Sequence, residues 1–201
     1  MCTGKCSRCI GVTLIPLAGA CIAANLLLFF PDFKLKYVQE NDMLTPEILY
    51  LGGIVGAGIL VFFPGLHIHA TGTGGCCANR CGMFLSLIFA TLGAAGSIYC
   101  LTMSTIGLIN GPTCRDTSGH WSRPFHNNSE IPELGKDSYL FNPDSWSICE
   151  EPKNVVLFNV ILFALQIGFS ALEFILCAIQ AINGFFGCLC GTCNKRRARP
   201  V

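Results

Sequence analysis

The sequence predicts an all-α integral membrane protein, a four-transmembrane helix bundle with a small disulfide-closed extracellular loop. Three observations predict it. The 201 residues are 52% hydrophobic and 12% charged, with a mean hydropathy of +0.55, whereas soluble domains carry roughly 25% charged residues. The apolar residues are gathered into four long runs. Two of the fourteen cysteines stand alone in the longest polar connection. A net charge of +1 also lacks the basic excess of a nucleic-acid binder.

The elements follow in order. Residues 1–9 form a short cytosolic start, and residues 10–30 are 21 positions without a formal charge, close to the ~20 needed to cross hydrocarbon as a helix. This run exceeds the apolar stretch of a signal peptide, and Phe29-Phe30-Pro31-Asp32 lacks small residues for cleavage. It is expected to persist as an anchor. A short extracellular loop spans 31–47, a second crossing 48–68, a cytosolic loop 69–82 and a third crossing 83–108. A large extracellular loop spans 109–154, a fourth crossing 155–186 and a cytosolic tail 187–201. Backbone exposed to lipid must satisfy its own hydrogen bonds, so the crossings are expected to be helices despite their Gly and Pro residues.

Orientation rests on the connections. With both termini cytosolic, the inner pieces hold seven basic residues and no acidic one, and the outer loops hold six basic and eleven acidic. Basic density is therefore higher inside, as insertion requires.

The cysteines sort by this topology. Cys114 and Cys149 are the pair in the large outer loop, and an isolated extracellular pair predicts a disulfide. Closing the 34 residues between them removes denatured-state entropy worth about 4 kcal/mol. The sequon at Asn127 lies inside that loop and predicts N-glycosylation. Cys21, Cys100 and Cys177 fall within crossings and read as small packing residues. Nine others, Cys2, Cys6, Cys9, Cys76, Cys77, Cys81, Cys188, Cys190 and Cys193, lie just inside the membrane. Beside basic residues these are palmitoylation candidates. The pairs Cys6/Cys9 and Cys190/Cys193 have zinc-like spacing, but no composed knuckle surrounds either. Lys195, Arg196, Arg197 and Arg199 form a basic tail placed to meet anionic lipid.

The fourth crossing carries a stripe: Asn159, Gln166, Glu173, Gln180 and Gly187 recur every seven residues, with Ser170 and Cys177 beside them. Helical geometry puts these on one face. A mid-membrane carboxyl is costly unless neutral or partnered, so the face should look into the bundle, with Asn25 as a candidate partner. The structural reading makes Glu173 a packing residue. The alternative makes it the ion or proton site of a transporter or channel subunit, but no other crossing carries a second charge. Gly52 to Gly58, Ser86/Ala90/Ala94 and Gly93 to Gly96 supply small-residue faces for close helix packing.

Chemistry is sparse. No Gly-x-Ser-x-Gly, phosphate loop or HExxH motif occurs. His67-Ile68-His69 has no nearby acid to complete a metal site. No catalytic residue, metal or cofactor is expected.

The assembled pattern resembles the L-six (tumour-associated antigen L-six) family of four-span, tetraspan membrane proteins. The resemblance covers nearly the whole chain. It rests on Met1 to Cys9, on Ala24 to Pro31, on the glycine run from Gly52, and on Gly111-Pro112-Thr113-Cys114. Trp146 with Cys149-Glu150-Glu151-Pro152, and Cys177 to Gly184 with the cysteine-rich tail, complete it. Two departures are a shorter inner loop at Cys76 to Cys81 and Phe158 where a Trp often precedes the fourth-crossing Asn. The resemblance implies a non-enzymatic organiser in the lipid bilayer of the plasma membrane. Its implied partners are adhesion receptors and other tetraspan proteins, with effects on adhesion, motility or proliferation; a second copy of the chain is a further candidate partner, for the small-residue faces.

Overall fold

The computed structural model describes residues 3–39, 43–73, 80–117, 119–126 and 138–190. Its helices are α1 (Thr3–Leu28), the short α2 (Lys36–Gln39) and α3 (Pro46–Leu49), α4 (Leu60–Gly72), α5 (Arg80–Asn110) and α6 (Val155–Cys190). Among the described residues, four stretches are long and apolar enough to cross a membrane: Gly4–Leu28, Pro46–Gly72, Cys81–Asn110 and Val155–Leu189. The chain is a four-helix membrane bundle, as predicted. Helix α1 packs on α4 and α6, and α5 packs on the same two, so the four close into a ring. Large side chains such as Phe63, Leu92, Leu172 and Ile182 are exposed on its outside, where lipid takes the place of a second apolar layer.

The second apolar run departs from the expected single helix. Helix α3 ends at Leu49, Leu51 adopts a left-handed conformation (φ 52°), and Gly52–Ile59 then winds as a π-helix before α4 begins. The composition permits the break. Four glycines in seven residues stabilise an α-helix weakly, and neighbouring helices take over what local propensity does not supply.

The glycines are consumed within the chain. A Cβ on Gly56 would stand 2.7 Å from the Gly96 carbonyl oxygen, and one on Gly96 would stand 2.5 Å from the Gly56 carbonyl oxygen. The π-helix and α5 thus meet backbone to backbone. A Cβ on Gly53 would stand 2.7 Å from Asn25 Cβ on α1. Between α5 and α6, Gly93 leaves room for the Cys177 sulfur and Gly107 for the Phe163 ring. Ser86 and Ala90 are buried on the same helix. Close approach of this kind supplies the packing energy that water exclusion cannot supply in lipid.

At one end of the bundle the connection from α5 to α6 folds over the helix ends. Strands β1 (Cys114–Arg115) and β2 (Trp121–Ser122) pair antiparallel, Cys114 opposite Ser122 and Arg115 opposite Trp121. Two 3₁₀ turns, Tyr139–Phe141 and Pro143–Ile148, lead into α6. Cys114, Tyr139, Val155 and Val156 form a small buried cluster, with Phe125 and Trp146 against it. This is the disulfide end; the other is the terminal end.

Candidate functional site: the clasped loops and the polar seam

The Cys114–Cys149 disulfide is formed, with Cα atoms 5.5 Å apart. It is one strand of a wider clasp. Arg115 N–H donates to the Glu151 carbonyl (2.9 Å), and Glu150 N–H donates to the Arg115 carbonyl (3.0 Å). The backbone is therefore paired immediately beside the sulfur bridge. Trp146 Nε1 donates to the Tyr139 carbonyl (2.9 Å), the Tyr139 hydroxyl donates to the Leu108 carbonyl, and Phe125 stacks on the Tyr139 ring. Burial holds the Tyr139 phenol above its ordinary pKa, so it remains a donor.

Sequence periodicity shows none of what joins the two loops of this end. Glu47, at the start of α3, accepts both contacts from Arg123 Nη2 (2.8 Å each) and one from Asn110 Nδ2 (2.7 Å). The Glu47 side chain is 7% exposed and that of Arg123 21%. A carboxylate so enclosed needs its cation, because an unpaired buried charge costs several kcal/mol. Thr113 N–H donates to Thr45 Oγ1, and the Thr113 hydroxyl donates to the Leu44 carbonyl. A second ionic knot forms around Glu151. Lys36 (3.5 Å) and Arg115 (3.3 Å) flank its carboxylate, and the Tyr37 hydroxyl donates to it (3.2 Å). Burial acts to raise the Glu151 pKa, but Lys36, the Tyr37 hydrogen bond and Arg115 hold it below the ordinary carboxylate range. Tyr37 is itself buried and rests on the Trp121 ring. Burial, then the Glu151 charge, raise its pKa.

Below this platform the four polar residues of the seam, Asn159, Gln166, Glu173 and Gln180, are all buried. Gln166 Oε1 accepts from Ser104 (2.9 Å), tying α6 to α5. Toward the terminal end, Gln180 Nε2 donates to Ser7 (3.1 Å) and Ser86 (3.2 Å), and Asn183 Nδ2 donates to Ser7 (2.9 Å). One side chain thus joins α1, α5 and α6. Asn159 Nδ2 donates to the Val155 carbonyl within its own helix.

Glu173 differs. Among the described residues, neither of its oxygens has a hydrogen-bond partner at bonding distance. The groups around it are the thiols of Cys21, Cys100 and Cys177, and the candidate partner Asn25 lies instead beside Gly53 and Gln166. The seven-residue repeat gives the face of a helix but not the height at which a residue on another helix meets it.

Of the nine palmitoylation candidates, Cys9 and Cys81 are exposed at the terminal end, and Cys6 and Cys188 are half-buried there. Cys190 closes α6, but its side chain lies outside the described residues, as do Cys2, Cys76, Cys77 and Cys193. Asn127 and the tail residues Lys195, Arg196, Arg197 and Arg199 are likewise outside them. No group of three His, Cys, Asp or Glu side chains among the described residues is arranged to hold a metal ion.

The family model described as L6 membrane protein matches residues 1–194. Transmembrane 4 L6 family member 1 of Homo sapiens is 41% identical over 201 residues, covering 96% of each chain. Transmembrane 4 L6 family member 4 of Rattus norvegicus is 42% identical over 202 residues, covering 96% of this chain and 95% of the relative. Transmembrane 4 L6 family member 5 of Homo sapiens is 40% identical over 205 residues, covering the full length of both. No solved structure matches this chain.

Proposed function

The chain belongs to the L6 membrane protein family, and on that premise we propose that it is a non-enzymatic four-pass adaptor of the plasma membrane. It gathers adhesion receptors and other tetraspan proteins, and through them influences adhesion, motility or proliferation. In this reading both termini are cytosolic and the disulfide end is extracellular, glycosylated at Asn127. Acylation of the terminal-end cysteines and the basic tail sort the protein laterally in the inner leaflet.

The observation that carries this reading is the clasp. Covalent, ionic and backbone links join both loops of one end into a single surface, and a fixed surface binds a partner without the entropy cost of ordering a loop. The polar and small-residue faces, by contrast, are spent inside the bundle. The transporter alternative needs a path through Glu173. That carboxyl is fully enclosed, and no second charged side chain shares the crossings near it.

Proximity labelling in intact cells, run beside flux measurements on reconstituted protein, tests the reading. Receptor and four-span neighbours retained by Glu173→Gln, with no flux in either protein, support the adaptor. A flux that Glu173→Gln abolishes, with assembly intact, contradicts it.

A further inference from the structure

A cavity of about 330 Å³ opens at the disulfide end, where α1 leaves the bundle and α6 enters it. Asp32 and Lys34 line it from the turn after α1, Arg115 from β1, and Glu150, Glu151 and Lys153 from the approach to α6. The lining therefore carries three acids and three bases. A simple anion or cation entering it meets as much repulsion as attraction, whereas a ligand bearing both signs can place each end against its complement.

The pairing within the cavity sharpens this. Lys34 is committed to Asp32 (2.5 Å), and Glu151 is shared between Lys36 and Arg115. Glu150 and Lys153 form no ion pair among the described residues, and they are not paired with each other. One uncommitted anion and one uncommitted cation thus face the same space. Arg115 adds to the cationic side, because its guanidinium carries five N–H donors and spends one on Glu151.

The position of the cavity limits the source of such a ligand. The helices beneath it present exposed apolar side chains close to their ends, Leu26 and Leu27 on α1 and Leu157 and Ile161 on α6. A headgroup held at this end of the bundle lies within about two helical turns of apolar surface that acyl chains can cover.

We propose that the cavity seats the phosphate–ammonium headgroup of a zwitterionic phospholipid, the phosphate toward Lys153 and Arg115 and the ammonium toward Glu150. This goes beyond the adaptor reading and does not depend on it.

Native mass spectrometry of the delipidated full chain tests it, with dihexanoylphosphatidylcholine, dihexanoylphosphatidylglycerol and free phosphocholine as probes. One phosphatidylcholine per chain is expected, retained at least fivefold over phosphatidylglycerol. Weak binding of phosphocholine alone identifies the membrane lipid as the source. Equal binding of phosphocholine keeps the same headgroup chemistry and makes the source a soluble one. Lys153→Glu and Glu150→Lys should each lower retention at least fivefold, and the double exchange should recover part of it. Lys153→Ala at this exposed position provides a milder variant, and an intact Cys114–Cys149 bridge certifies the fold of each. Equal retention of the two lipids, or unchanged retention in a folded Lys153→Glu variant, overturns the proposal.

Discussion

At the residue scale, the Glu47–Arg123 pair is where a single change costs most. Arg123→Ala strands a carboxylate that is 7% exposed, and removing one partner of a buried pair costs about 3 kcal/mol or more. Unfolding of the purified chain in mixed micelles should register that loss, and Glu47→Gln combined with Arg123→Ala should recover part of it. A cost confined to a few tenths of a kcal/mol would show the pair to be solvated. Glu151 gives a pH signature. Its pKa in the folded chain is lowered, so its contribution is present above the unfolded value and fades as pH falls through the folded one. Amide protection at Arg115 and Glu150, corrected for intrinsic exchange, should therefore fall below about pH 4. Protection that rises or stays flat on acidification contradicts the assignment. Neither pair was legible in the sequence: Glu47 and Arg123 are 76 residues apart, and a charge pattern does not say which loop charge meets which. The disulfide was legible because the outer loops offer one pair of cysteines and no competing partner.

At the element scale, the four apolar runs and the buried face of α6 could be read directly, because a membrane leaves helix as the available backbone and a seven-residue repeat marks one side of it. The π-winding of Gly52–Ile59 could not. It depends on what α1 and α5 present to the glycines, which no local pattern encodes. The glycines themselves divide into two kinds. Gly56→Val would drive its side chain into the Gly96 carbonyl and should cost about 2 kcal/mol or more. Gly168 has open space around its Cβ position, so Gly168→Ala should be neutral or slightly stabilising within α6. Equal effects of the two, read from micellar unfolding, would contradict the backbone-to-backbone contact. Gln180→Leu removes hydrogen bonds to both α1 and α5; such bonds in membranes are worth about 0.6 kcal/mol on average and up to about 2 each, and the loss should appear in the same measurement.

At the scale of the whole molecule, the bundle and the clasp are separable. The four crossings hold one another through glycine contacts and the polar seam, and the disulfide end is held by one covalent bond and two ionic knots. Reduction, or Cys114→Ser with Cys149→Ser, should release up to about 4 kcal/mol of loop-closure stabilisation while leaving the helix content unchanged by circular dichroism. The adaptor reading turns on that separation, because it assigns partner capture to the surface the clasp fixes. Proximity labelling in intact cells, comparing the wild-type chain with the double-serine variant at equal surface density, tests this most directly. The variant is expected to reach the surface with its four helices intact and to lose the labelled neighbours; an unchanged set of neighbours would show that partner capture does not need the clasp.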